Sequence, residues 1–529
     1  MIYLAIITAF ALISGALLTV MSFKIMQILQ LSSYRVKGVA QWFKSTKFDY
    51  MVRYFAAAFF ATVCMLVYVG CFGKFIYAEW IGMALFFLNM MAFAIIEGKQ
   101  RKKTPLRFTP RIIRLTALSF VLFSAAAFGL LFAGKYIIVK YSLVGLLPLI
   151  VPFIVIAAHF VLLPFETLNN ARYVRKAKKK LAAMPMLIKI GITGSFGKTT
   201  AKNILAAMLE KKYSVFATPS SYNTPLGIAR SVNGGLQSSH GVFIAEMGAR
   251  HAGDIAELTR LVAPNIGVLT AVGNQHLATF GSGENVAAAK YELIEGLGAN
   301  GLAAFSCDNE YTLDMYGRTE GKKLLAGSGE CDEAQVKYSA VSFGPFGTEF
   351  TLRAGDESVK IRTSLLGRHI PSLVSLCAAV SLELGVSLKD IAVAVEDLPQ
   401  VEHRLQLIKN GDVTVIDDAY NSNTQGAKNA LEVLREFDGT RIIITPGLVE
   451  LGEEEENANY DLGRSVTGCA DYAYFVGARA QTLKNGAIDS GMDENKVFVC
   501  GSLAEAVEKS GAIGGKKTVL FENDLPDNL

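Results

Sequence analysis

Ten consecutive residues carry the groups that hold a nucleoside triphosphate: Gly191-Ile192-Thr193-Gly194-Ser195-Phe196-Gly197-Lys198-Thr199-Thr200. Glycines at 194 and 197, with Ser195 near them, let backbone N–H groups close on phosphate oxygens. Lys198 adds a mobile positive charge, and the hydroxyl of Thr199 or Thr200 can sit on Mg²⁺. The usual loop of this kind has a glycine where this chain has Ile192, so the motif is the shorter Thr-Gly-x-x-Gly-Lys-Thr-Thr. Its flanks are those such a loop needs. The apolar run Met186-Leu187-Ile188-Lys189-Ile190 predicts a strand entering it, and 201–210 reads as the helix leaving it.

Three further groups lie downstream. Phe243-Ile244-Ala245-Glu246 ends an apolar strand in a carboxylate, which a parallel sheet would bring to its carboxyl edge beside the loop. A hard oxygen there can hold Mg²⁺. His276 follows another strand end, and Lys290 sits among alanines in the helix-like run that starts at Gly283. Taken singly, these are ordinary features: a strand-end glutamate facing water, a loop histidine, a solvated helical lysine.

The elements around these residues fall into two regimes. Residues 1–23 carry no charge, and further long apolar runs cover about 55–73, 75–96, 115–134 and 141–163. Each is about the length of a membrane-spanning helix. The first run lacks a basic start and a clear cleavage site, so it reads as a retained anchor. Basic residues crowd alternate loops. Lys24, Arg35, Lys37, Lys44, Lys47 and Arg53 fill the first, residues 99–114 supply seven more, and Arg172, Arg175, Lys176 and Lys178–Lys180 follow the last run. The other two loops hold only Lys74, and Lys135 with Lys140. Basic loops stay in the cytoplasm, so five spans predict an N-terminus outside and everything after residue 165 inside. The net charge of +5 comes largely from these loops and is no sign of nucleic-acid binding. The seven cysteines show no paired metal spacing, as expected for reduced thiols in a cytoplasm.

The remaining 350 or so residues alternate short apolar strands with helical patterns, which predicts parallel α/β sheets. Strands are expected at 242–245, 266–272, 302–306, 413–416, 442–445, 472–476, 497–500 and 518–521, with antiparallel hairpins at 338–363. Leu398-Pro399-Gln400 divides this part. The expected organisation is a transmembrane domain over 1–165, a basic linker over 166–185, a P-loop-type domain over 186–398 and a Rossmann-like domain over 399–529.

As an ordered set, the motifs resemble the Mur ligase family over roughly residues 185–529. They are the phosphate loop, Ser221-Tyr222-Asn223-Thr224-Pro225-Leu226-Gly227, Glu246-Met247-Gly248-Ala249, His276 with Phe280-Gly281, Ala289-Lys290, His403-Arg404, and Asp417-Asp418-Ala419-Tyr420-Asn421-Ser422-Asn423. The last motif and Glu450-Leu451-Gly452 are most similar to the branch that adds D-alanyl-D-alanine to UDP-MurNAc-tripeptide. The resemblance implies that ATP phosphorylates a substrate carboxylate, an amine attacks the acyl phosphate, and phosphate leaves. It implies Lys198 on the terminal phosphates, Thr199 or Thr200 with Glu246 on one Mg²⁺, His276 at a second, and Lys290 as a carbamylated lysine. Arg404, Asp418, Tyr420 and Asn421 would serve the nucleotide or the incoming amine.

Three departures qualify the substrate. The family's UDP-gripping first domain has no counterpart, because only about twenty residues separate the last apolar run from the loop. Leu373 stands where the family has an asparagine facing adenine, and the segment from Glu522 is acidic where the D-alanyl-D-alanine branch is basic. The sequence therefore predicts a membrane-anchored, ATP- and Mg²⁺-dependent ligase acting on a cell-wall precursor at the cytoplasmic face of a bacterial inner membrane. Its partners would be ATP, the precursor, an amine and the bilayer, with no nucleic acid. A lipid-linked carboxylate is the alternative substrate. An ATP-energised transporter or a nucleotide-binding scaffold without turnover are the alternative functions.

Overall fold

A computed structural model describes residues 2–32, 34–45, 49–72, 78–99, 105–133, 143–219, 222–273, 277–420 and 422–523. The chain divides near Asn170 into two compact units.

The first unit is helical: Ile2–Met21, Phe23–Leu31, Val36–Ser45, Asp49–Phe72, Ala78–Lys99, Pro110–Ala133 and the start of Val151–Ala182. Among the described residues, three stretches are long and apolar enough to cross a membrane: Leu4–Met21, Pro110–Phe132 and Leu147–Ala182. Five spans were expected. The runs at 55–73 and 75–96 fall on the helices Asp49–Phe72 and Ala78–Lys99, of 24 and 22 residues. Small residues bring the helices close, as they do where no hydrophobic force separates protein from solvent. A Cβ on Gly15 would lie 2.1 Å from Ser124 Oγ. Glu166, 4% exposed, accepts from Arg114 Nε at 2.7 Å and Nη2 at 3.0 Å, which pins two of the long helices together. Outward-facing Phe55, Phe153 and Val161 are 60%, 62% and 65% exposed, an unusual outer surface for helices bathed in water.

The second unit contains two sheets. The first has nine strands in the order Val215–Ala217, Val242–Glu246, Ile188–Thr193, Ile266–Leu269, Leu302–Ser306, Lys322–Ser328, Val336–Gly344, Gly347–Ala354, Glu357–Thr363. All neighbours are parallel up to Val336–Gly344, and the last two strands form the antiparallel hairpins. The chain leaves Ile188–Thr193 toward one edge and returns to its other side at Ile266–Leu269, so the loop after Thr193 lies where crossovers diverge. Ligands of open α/β sheets bind at such a point. The second sheet orders Gln406–Asn410, Val413–Asp418, Lys517–Glu522, Thr440–Thr445, Tyr472–Val476 and Val497–Cys500, antiparallel only at its first pair. Strands buried on both faces, such as Val242–Glu246 and Leu302–Ser306, are continuously apolar or small before their polar ends.

Local chemistry fixes the helix starts. Thr224 accepts from Gly227 N and Pro225 takes the first helical position. Ser282 caps Gly283–Glu295 and Asn423 caps Thr424–Arg435 in the same way.

Candidate active site

The loop after Ile188–Thr193 is wound tightly on the end of its neighbouring strand. Ser195 N donates to Ala271 O at 2.7 Å, Thr270 N to Thr193 O at 3.0 Å, and Thr270 Oγ1 to Phe196 O at 2.6 Å. Ser195 Oγ exchanges hydrogen bonds with the Gly273 backbone at 3.0 and 3.1 Å. Gly194 has φ +155° and Gly197 φ +77°. A Cβ at Gly194 would lie 2.0 Å from Thr270 Oγ1, and one at Gly197 would lie 2.8 Å from Leu373 Cδ2. Both positions need glycine for shape and for space. The helix Lys198–Glu210 then begins with N–H groups that have no partner within the helix, a natural anion seat.

Lys198 Nζ folds back onto this loop, donating to Gly194 O at 2.7 Å and Ser195 O at 3.2 Å. Burial pushes the ammonium down to about 8; Glu246 opposes that shift and Arg404 adds to it. The loop carbonyls hold the charge where a phosphate oxygen would serve better.

Glu246, 1% exposed, is the hub of the carboxyl edge. It accepts from Thr199 Oγ1 at 3.0 Å, Lys202 Nζ at 3.3 Å and Asn223 Nδ2 at 3.3 Å, and its own N–H donates to Thr218 Oγ1 at 3.1 Å. Of the two threonines, Thr199 is the one that reaches the carboxylate, while Thr200 is buried. A buried hydroxyl–carboxylate pair beside a phosphate loop suits a hard divalent cation. Among the described residues no group of three His, Cys, Asp or Glu gathers, so phosphate and water oxygens would complete its shell. Sequence reasoning missed Lys202, which is 2% exposed. The four-residue spacing from Lys198, one helical turn, could have flagged it.

Lys290 is 3% exposed, so the solvated-lysine reading is wrong. Burial, and then the charge of Lys198, push its amine down to about 7, while Asp254 and Glu292 pull the other way. Its neighbour Glu292 caps the helix Asp254–Val262, accepting from Gly253 N and Ala256 N at 2.7 and 2.9 Å. His276 and Asn421 lie outside the described residues.

The second sheet contributes the remaining candidates. His403 and Leu405, with φ of +56° and +48°, flank Arg404 in a strained turn. The Arg404 guanidinium lies 4.6 Å from the Tyr420 ring centroid. Its charge also acts on Lys198, His369 and Asp418. Asp418 Oδ1 accepts from Leu405 N at 3.2 Å, and His403 Nδ1 pairs with Asp417 Oδ2 at 2.8 Å. Burial pushes the His369 imidazole down to about 4, and its Nδ1 has no hydrogen-bond partner. The cysteines at 307, 331, 377, 469 and 500 are all free thiols.

Residues 192–381 match the Mur ligase middle domain, and residues 403–521 match the Mur ligase glutamate ligase domain. The UDP-N-acetylmuramoyl-tripeptide--D-alanyl-D-alanine ligase of Mycobacterium tuberculosis is 34% identical over 284 residues, 52% of this chain and 55% of that one. The Escherichia coli protein of the same name is 30% identical over 298 residues, 56% and 65% of the two chains. The chain thus spans less than two thirds of these relatives. MurF from Acinetobacter baumannii superposes with a TM-score of 0.62 at 24% identity, covering 67% of this chain and 77% of that one. MurF from Thermotoga maritima, solved with ADP, gives 0.59 at 23%, covering 67% and 80%. These two likenesses show the fold.

Proposed function

Since the chain belongs to the Mur ligase family through its middle and glutamate ligase domains, we propose that it is an ATP- and Mg²⁺-dependent amide ligase acting on a cell-wall precursor. Its nominal activity is the addition of D-alanyl-D-alanine to UDP-MurNAc-tripeptide. The observation that carries this reading is the buried Glu246 accepting the Thr199 hydroxyl beside a glycine loop on which Lys198 is folded.

A substrate carboxylate oxygen attacks the terminal phosphorus of ATP, ADP leaves, and an acyl phosphate forms. The amine attacks the acyl carbon, phosphate leaves, and the amine gives its proton to solvent. Such chemistry needs positioning and charge neutralisation more than a strong acid or base. Lys198 moves from the loop carbonyls to the terminal phosphate oxygens. Thr199 and Glu246 would hold Mg²⁺, which would neutralise phosphate charge. His276 is assigned to a second metal position and Lys290 to a carbamate near it. Arg404, Asp418, Tyr420 and Asn421 are assigned to the nucleotide or the amine.

The first unit is read as five spans in the bilayer, with the N-terminus outside and the ligase domains in the cytoplasm. The alternation of basic loops supports this. A reporter active only in the cytoplasm is expected to work after Lys180 and after Lys103 and to be silent after Lys74; activity after Lys74 overturns the topology.

A second reading, ligation onto a lipid-linked carboxylate, is favoured by one observation. The family match begins at residue 192, and the described residues before it include three membrane-length apolar stretches. Both readings are tested by ATP turnover of the detergent-solubilised full chain against UDP-linked and lipid-linked precursors with candidate amines. Precursor- and amine-dependent ADP release is expected. Turnover indifferent to both would sink the ligase reading.

A further inference from the structure

The ends of two adjacent strands hold a buried acid that the proposed reaction does not use. Asp418 and Glu522 are register partners on parallel neighbours, so their side chains leave the sheet on the same face. Asp418 is partly exposed, whereas Glu522 behind it is fully buried. Asp418 has a backbone donor in Leu405 N and feels the charge of Arg404. For Glu522, Oε1 accepts the Ser422 hydroxyl and no donor reaches Oε2, which leaves the second carboxylate, Asp418, as its partner if it carries a proton. An ionised Glu522 would leave a buried negative oxygen bare beside a second carboxylate. Two carboxylates in such a site cannot both ionise, and the one with fewer donors keeps the proton. Burial first, and then the charge of Asp418, hold Glu522 well above the ordinary carboxylate range. The groups acting on the pair are Asp417 from Asp418's own strand, Arg404 from the turn before that hairpin and Ser422 from the following loop. Asn523 beside them spends its amide on Gly447 O at 2.7 Å.

We propose that Glu522 is a positioning residue: as a neutral acid it hydrogen-bonds Asp418 from behind and holds that carboxylate toward Arg404 and the nucleotide. The inference rests on the reading of Asp418 and Arg404 as nucleotide-facing.

Full-length Glu522→Gln and Glu522→Ala proteins in detergent test it by two readouts. Glutamine copies a neutral acid that can donate, so Glu522→Gln is expected to hold KM for ATP within about twofold of wild type. Glu522→Ala is expected to raise it about tenfold with a smaller change in kcat, the scale of one lost hydrogen bond to a charged group. The second readout is thermal stability against pH. The folded chain keeps a proton on Glu522 that the unfolded chain loses above about pH 4.3. Wild type therefore loses stability as pH rises from there through the raised folded value, and Glu522→Gln lacks that loss. This comparison needs neither the alanine variant nor nucleotide. It tests the acid pair even if ATP proves not to bind, in which case the ligase reading fails separately. A glutamine variant as impaired in ATP use as the alanine variant, or one with the wild-type pH slope, would overturn the inference.

Discussion

Lys198→Ala is expected to lower ATP-dependent ligation by about 10²–10³-fold, the usual cost of removing one preorganised charge from a site. The geometry says why the loss should be large and specific. Nζ is held by two loop carbonyls, Gly194 O and Ser195 O, rather than by an acidic partner. It is thus poised to transfer to phosphate without breaking a salt bridge. Its charge is also uncomfortable in the fold, since burial lowers it to about 8. The sign of that shift gives a control. Between about pH 8 and about pH 10.4 the unfolded chain binds a proton at this lysine that the folded chain does not. Wild type gains stability as pH rises through that window. The alanine variant should lose this part of the gain and should be no less stable at pH 7. Denaturant unfolding at pH 7 and pH 9.5, beside ligation rates, separates a lost phosphate contact from a damaged fold. Near-normal ligation by Lys198→Ala would mean the loop had been misread.

Much of this site was legible before the structure because it depends on local order. Strand, glycine turn and helix follow one another within 23 residues, Ile188 to Glu210, and each step has its own signature. Strands at Leu302–Ser306, Tyr472–Val476 and Val497–Cys500 fall where apolar runs end at turns. The expected strand at 266–272 stops at Leu269. From there Thr270 and Ala271 turn their polar groups to the phosphate loop, and Val272 binds Asn309, a competition that propensity does not see. Val215–Ala217 and Lys322–Ser328 were not foreseen: one is three residues long, and the other begins Lys-Lys and ends Gly-Ser. Partnerships between distant residues were the least legible. Nothing local in Asn223 or Glu522 announces that the first meets Glu246 and the second pairs in register with Asp418. Those pairings follow from sheet order, which one sequence does not print.

For Lys290, the expected result is that alanine abolishes most ligation, about 10²-fold, on the scale of one preorganised charged group. A surface lysine would cost almost nothing, but this one is 3% exposed on a helix of small residues. Its amine, pushed down to about 7 by burial and by Lys198, is substantially neutral at physiological pH. Only a neutral amine can attack CO₂. In that step the nitrogen–carbon bond would form, one proton would be released, and the neutral amine would become a carbamate anion. The Lys198 charge that helps lower the amine would then attract such an anion instead of repelling a cation. Protonation competes with carbamylation. Activity should therefore fall as pH drops below about 7, and added bicarbonate should offset part of the fall. Lys290→Glu, and the alanine variant supplied with short-chain carboxylic acids, should recover some rate, because both restore a negative oxygen. Lys290→Arg should not, because its guanidinium stays charged and offers no free amine. The measurement is the ligation rate of the three variants at matched thermal stability, with and without bicarbonate. A fully active arginine variant would show that the site needs a cation there, and the carbamate would have to be given up.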